Sequence, residues 1–133
     1  MDYRVYCTIS LVCWGLWAYF SKVLTHSLSP IILVFFTSVG SMTAIGLYTI
    51  LRTKLVVNVS VFWALLVGVL SALATIFFYQ ALAKGPASVV VPWTGLYIII
   101  PVILGFIFFK EPVTTNRIIG LAAAIISIIF LSK

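Results

Sequence analysis

Acidic side chains are almost missing from this sequence. Among 133 residues only Asp2 and Glu111 carry a carboxylate. Histidine occurs once, at His26, and cysteine twice, at Cys7 and Cys13. Catalysis is poorly served by this inventory. No His/Cys/Asp cluster has metal-ligand spacing, no nucleophile stands beside an evident base, and no nucleotide-binding loop is present. No catalytic residue, metal or cofactor is expected. Charge of either sign is scarce, at 8% of residues against 64% hydrophobic, with a mean hydropathy of +1.30. A soluble fold of this length would need a far larger charged and polar surface.

What the chain does have is apolar sequence in five runs, at about 5–22, 31–51, 61–82, 87–109 and 114–131. A helix rising about 1.5 Å per residue needs roughly 20 apolar residues to cross a hydrocarbon core of about 30 Å. Each run comes close to that length, and the last, with the first, is the shortest. Apart from Lys22 at the end of the first run and Arg117 near the start of the last, no run contains Asp, Glu, Lys, Arg or His. That exclusion is the strongest sign of membrane insertion, because a charge at mid-membrane costs at least ~2.5 kcal/mol. The expected fold is an all-α integral membrane protein with five transmembrane helices.

The N-terminal run could imitate a signal peptide, since Arg4 precedes it. It contains Trp14, Trp17, Tyr19 and Phe20 and has no small-residue cleavage site, so a retained first helix is expected. Cys7 and Cys13 are six apart and do not stack at helical spacing; they read as small buried residues rather than a disulfide or metal pair. The net charge of +6 is scattered over several junctions, the pattern of headgroup-facing Lys and Arg, and points to no nucleic-acid partner.

Five spans put the termini on opposite sides. One side holds Arg4, Arg52, Lys54, Lys110 and Arg117; the other holds Lys22, Lys84 and Lys133. The bias favours a cytoplasmic N-terminus in a multi-pass cell-membrane protein, and it is small enough to allow dual topology. The junctions are short. Pro30 suits a first helical position, Lys84-Gly85-Pro86 stops one helix and starts the next, and Lys110-Glu111-Pro112 does the same before the fifth. Asn58-Val59-Ser60 matches a glycosylation sequon by chance at a membrane edge.

Polar and small residues fall on helical stripes: Ser10, Trp14, Trp17 and Ser21; Thr37, Ser41, Ala44 and Tyr48; Gly68, Ser71, Thr75 and Tyr79. Close helix packing explains Gly68 with Ala72, and Gly120 with Ala124. It explains Trp14, Trp17, Tyr79 and Gln80 less well, because their N–H and O–H groups need partners in hydrocarbon. These residues are candidates for lining a cavity. The fourth run carries Pro92 and Pro101 around Trp93, Thr94 and Gly95. Each proline removes a helical hydrogen bond and favours a kink, which either bends the span passively or serves a moving helix.

The segment Phe77-Phe78-Tyr79-Gln80-Ala81-Leu82-Ala83-Lys84-Gly85-Pro86-Ala87-Ser88, with Pro101, Glu111-Pro112 and Gly120 beyond it, resembles the EamA domain of the drug/metabolite transporter superfamily. Trp14-Gly15 and Ser29-Pro30 extend the resemblance over nearly the whole chain. It implies transport of a small metabolite or drug-like solute by alternating access, with this chain as one half of an inverted repeat that pairs with a second copy in opposite orientation. Substrate contacts would come from Trp14, Trp17, Tyr79, Gln80, Trp93 and Thr94. Pro92, Gly95 and Pro101 would shape the moving helix, and Glu111 would cap the last helix. The small multidrug relatives carry an embedded Glu in the first span; this chain has none, so their proton exchange is not implied. The larger relatives often carry an Arg early in the second span. Val34-Phe35-Phe36-Thr37 lacks it, which argues against an anionic substrate. An accessory subunit of a larger membrane complex and a lipid-headgroup flippase subunit are the alternative readings.

Overall fold

A computed structural model describes residues 2–53, 58–110 and 112–131. Lys54, Glu111 and Lys133, which entered the charge distribution and the capping expectation above, lie outside the described residues. The chain divides into two compact units, Met1–Lys84 and Gly85–Lys133.

The first unit is three long helices: α1 (Tyr3–Leu24), α2 (Pro30–Arg52) and α3 (Val59–Lys84). Their starts are set by local chemistry. The Asp2 side chain accepts the Arg4 N–H at 3.4 Å to cap α1. Pro30 takes a first-turn position of α2, where a missing N–H costs nothing. Asn58 Oδ1 accepts the Ser60 N–H at 3.1 Å at the start of α3. The would-be sequon is therefore a helix cap. Both α1 and α2 pack against α3. The buried residues Ala18 and Ser21 of α1, Leu33 of α2, and Tyr79 and Leu82 of α3 lie where α1 ends, α2 begins and α3 ends. The core of this unit is thus gathered toward one end of its helices.

The second unit contains α4 (Ala87–Gly95), a 3₁₀ turn (Leu96–Ile98), α5 (Ile99–Phe108) and α6 (Thr115–Leu131). The fourth apolar run is one stretch with a defect between its prolines. Pro92 has no N–H for the carbonyl of Ser88, and the ring of Pro101 crowds the carbonyl of Tyr97, which lies in the 3₁₀ turn. Gly95 has ordinary right-handed angles (φ −59°, ψ −17°), so its backbone makes no demand that only glycine meets. A Cβ there would touch Ile128 Cδ1 of α6 at 3.9 Å, an ordinary contact, and α4 packs on α6. Helix α5 ends with Lys110 in the left-handed region at φ 50°, and Pro112 follows. A left-handed residue followed by proline is a common helix stop.

Four stretches are long and apolar enough to cross a membrane: Tyr3–Leu24, Pro30–Arg52, Val59–Lys84 and Ala87–Phe108. The fifth expected span differs. Helix α6 is apolar but has 17 residues, about 25 Å at the usual rise, which falls short of the roughly 30 Å hydrocarbon layer. No more than 11% of any of the four long windows is buried. Apolar side chains facing outward along whole helices fit hydrocarbon as the solvent, so the protein is an all-helical, multi-pass membrane protein.

Candidate functional site

The stripe on α1 changes character along its length. Toward the N-terminus Tyr6, Cys7, Ser10, Leu11 and Trp14 line an open groove of about 540 Å³. Trp14 is 64% exposed. Cys7 and Cys13, expected to be buried, are exposed. Toward the C-terminus the same stripe is closed by α3. Trp17 stacks on Phe78, with ring centroids 5.2 Å apart and planes 19° apart, and meets Tyr79 edge-on at 5.7 Å. Ser21 Oγ and Tyr79 Oη share a buried hydrogen bond at 3.0 Å. One turn further on, Lys22 Nζ donates to the Leu82 carbonyl at 2.8 Å. That carbonyl lies in the last turn of α3, where a cation suits both the unpaired C=O groups and the helix dipole.

Sequence reasoning found Trp17 and Tyr79 as candidates, and the structure brings those two together. It does not give them equal access. Tyr79 is wholly buried, whereas Trp17 keeps 39% of its surface open. Trp14 lies beyond the clasp in the open groove. Gln80 is half-buried beside Tyr79 on α3. The role of Lys22 was missed; an i, i+1 pair with Ser21 at the end of the first run was the available signal, since neither side chain suits hydrocarbon alone.

The threonines of the other stripes are self-contained. Thr37 donates to Leu33 and Val34 carbonyls, Thr75 to Ser71, and Thr94 to Val90 and Val91, all on their own helices. Such back-bonding satisfies the donor without a second helix. In contrast, the indoles of Trp14, Trp17 and Trp93 and the Gln80 carboxamide make no hydrogen bond among the described residues. Trp93, 61% exposed, belongs to the second unit with Thr94.

The small-residue positions also differ from expectation. A Cβ built on Gly68 or Gly120 meets nothing within 4 Å, and Ala72 is exposed. Among the described residues, neither Gly68 nor Gly120 has another helix in close contact with it. Gly120, Leu121 and Ala124, with Arg117, instead form the α6 wall of a cleft of about 480 Å³. Its other wall is Ile98, Pro101, Val102 and Phe106.

No group of three or more metal-ligating side chains occurs among the described residues. The exposed aromatic and polar groups lie on helices that have lipid for solvent. The chain matches the EamA-like transporter family over residues 4–133 and belongs to that family. An uncharacterised protein of Methanocaldococcus jannaschii is 40% identical over 70 residues, which are 53% of this chain and 51% of that one. The match thus spans about half the length of that relative. No solved structure matches the chain.

Proposed function

We propose that the chain carries a small solute across the membrane by alternating access, as an antiparallel homodimer in which each copy supplies one five-span EamA domain covering residues 1–133. In this reading α6 is the fifth span, and its shortness is accommodated by local thinning of the bilayer and by Arg117 reaching to the interface. Each copy is one half of an inverted repeat. The small excess of basic residues on the N-terminal side favours a cytoplasmic N-terminus and is weak enough for both orientations to insert.

The observation that supports transport through this surface is the divided stripe of α1. It is open from Tyr6 to Trp14 and clasped from Trp17 to Ser21. A path open at one end and closed at the other is what one state of an alternating-access cycle requires. Trp14, Trp17 and Gln80 are the proposed solute contacts of the first unit, with Tyr79 behind Trp17 fixing its ring. In the second unit Trp93 and Thr94 are the candidates, and Pro92, Gly95 and Pro101 mark the segment proposed to flex.

Purified protein in liposomes tests the transport reading. Amino acids, nucleobases, sugars and cationic drugs are offered in turn, and flux above protein-free vesicles is expected for at least one class. Its absence for every class would refute transport. Orientation is tested separately by labelling a single N-terminal cysteine from each side of the membrane. Labelling from one side alone would reject the antiparallel dimer and leave transport standing.

A further inference from the structure

We infer that the clasp between α1 and α3 is a gate that opens by exchanging hydrogen-bond partners: the Ser21–Tyr79 and Lys22–Leu82 bonds hold it shut, and water from the membrane edge replaces them when it opens. The inference deepens the transport reading, on which its purpose rests, by naming what closes the path at one end. Three contacts make the clasp, and they follow one another along the two helices. Trp17 stacks on Phe78, Ser21 bonds Tyr79, and Lys22 bonds the Leu82 carbonyl. From first to last they advance by about 8 Å along α1 and about 6 Å along α3. Ala18, also buried, is the small residue between Trp17 and Ser21. A contact this short is undone by a small tilt of one helix, whereas the groove from Tyr6 to Trp14 is open already.

The strength of the ties suits repeated opening. One interhelical side-chain bond in a bilayer shifts an equilibrium by about threefold on average and about twentyfold at most. Two such bonds favour the shut state by roughly tenfold, which leaves an open minority of up to about 10%. Each group also has another partner within reach. The Ser21 hydroxyl turns back to the Trp17 carbonyl, four residues earlier. Lys22 lies in the last turn of α1 and Lys84 in that of α3, the usual place of basic side chains at a membrane edge. From there the Lys22 ammonium extends into the headgroup layer. Tyr79 is five residues, about 7.5 Å, before Lys84, so water entering at that edge meets the Leu82 carbonyl first and the Tyr79 hydroxyl next. Opening therefore trades protein bonds for bonds to water and strands no polar group in hydrocarbon. Thr37, Thr75 and Thr94, by contrast, bond within their own helices and tie nothing together.

Thiol labelling of the full chain in liposomes tests this. In a C7S/C13S background a single cysteine is placed by A18C, a buried site inside the clasp that makes neither bond. Its reaction with a small water-soluble maleimide, read without any solute, should be slow. Y79F and K22M should each speed it by about threefold, and the two together by about tenfold. K22R, which keeps a donor for the Leu82 carbonyl, should stay close to the A18C rate alone. L33C, buried on α2 outside the clasp, should remain slow in every variant, and circular dichroism should show all of them helical. An A18C rate that neither Y79F nor K22M changes would overturn the gate. Equal acceleration of A18C and L33C would overturn it too, because the bonds would then hold the whole unit together rather than one contact. Labelling needs no flux, so a chain that carries no solute still shows the gate if it is there. Measured flux with an A18C rate indifferent to both variants would reject the gate and leave transport standing.

Discussion

The clasp between α1 and α3 can be taken apart one atom group at a time. Tyr79→Phe removes a single hydroxyl from a fully buried ring and leaves its contact with Trp17 in place. Were the surroundings water-like, losing the 3.0 Å bond to Ser21 would cost about 1 kcal/mol, and more if Ser21 were stranded. Two effects reduce that in a bilayer. Interhelical side-chain bonds there average about 0.6 kcal/mol and reach about 1.7. The Ser21 hydroxyl is also able to turn back to the carbonyl four residues earlier, that of Trp17, as the threonines do on theirs. A cost of about 0.5–1.5 kcal/mol is therefore expected for Tyr79→Phe, and a similar one for Ser21→Ala. Tyr79→Ala, which also empties the space behind Trp17, should cost about 3–5 kcal/mol. The double variant S21A/Y79F should be less destabilised than the sum of the singles, with a coupling of about 0.6–1.7 kcal/mol. Unfolding in mixed micelles at rising SDS fraction gives all four corners of the cycle. Additive single costs, with coupling below about 0.3 kcal/mol, would refute the bond as a tie between the helices.

Three further outcomes are expected. Trp14→Leu should lower solute flux by up to about tenfold, the weight of one lost aromatic contact of about 0.5–1.5 kcal/mol, with the micelle unfolding curve unchanged because Trp14 lies outside the clasp. Pro101→Ala should restore an N–H facing the Tyr97 carbonyl, and amide exchange across residues 97–102 should slow as the 3₁₀ turn becomes α-helical; unchanged exchange would assign the break to another cause. Lys110→Gly should raise stability by about 0.5–1 kcal/mol, because relief of a left-handed L-residue, about 1–2 kcal/mol, exceeds the added chain entropy of glycine, about 0.5–1; the same unfolding titration reads it.

Much of the fold was legible because it follows from one periodicity and one exclusion. Apolar runs with charge only near their ends gave the helices within two residues at each end, and Pro30, Pro86 and Lys110 stood where chain direction changes. The shortness of α6 was visible as well, since its run has 18 residues and carries Arg117 near one end. What stayed hidden was which stripe meets which. Ser10, Trp14, Trp17 and Ser21 share a face by spacing, yet only Trp17 and Ser21 lie under α3, and spacing carries no information on where a second helix crosses. Small residues misled for a related reason. Gly68 and Gly120 permit close approach, but permission is not contact, and lipid or another chain satisfies it equally.

Polar groups in hydrocarbon divide into those that settle their own needs and those that do not. A threonine reaches a carbonyl one turn back, so Thr37, Thr75 and Thr94 are silent about function however they are arranged. An indole or a carboxamide reaches no such carbonyl from a straight helix. Where its donor stays unmatched among the described residues, as for Trp14, Trp17, Trp93 and Gln80, the membrane fold is incomplete at that point by a few kcal/mol per group. The acceptors to be tested are a headgroup near the edge, a second copy, or a solute in transit. Trp17 decides among these most sharply, because it lies one turn from the buried Ser21–Tyr79 bond and 39% open. If solute passes there, Trp17→Phe, which keeps the stacking on Phe78 and removes only the N–H, should weaken solute binding while leaving the clasp's stability within about 0.5 kcal/mol. Loss of stability without loss of binding would make Trp17 part of the scaffold and move the solute path away from α1.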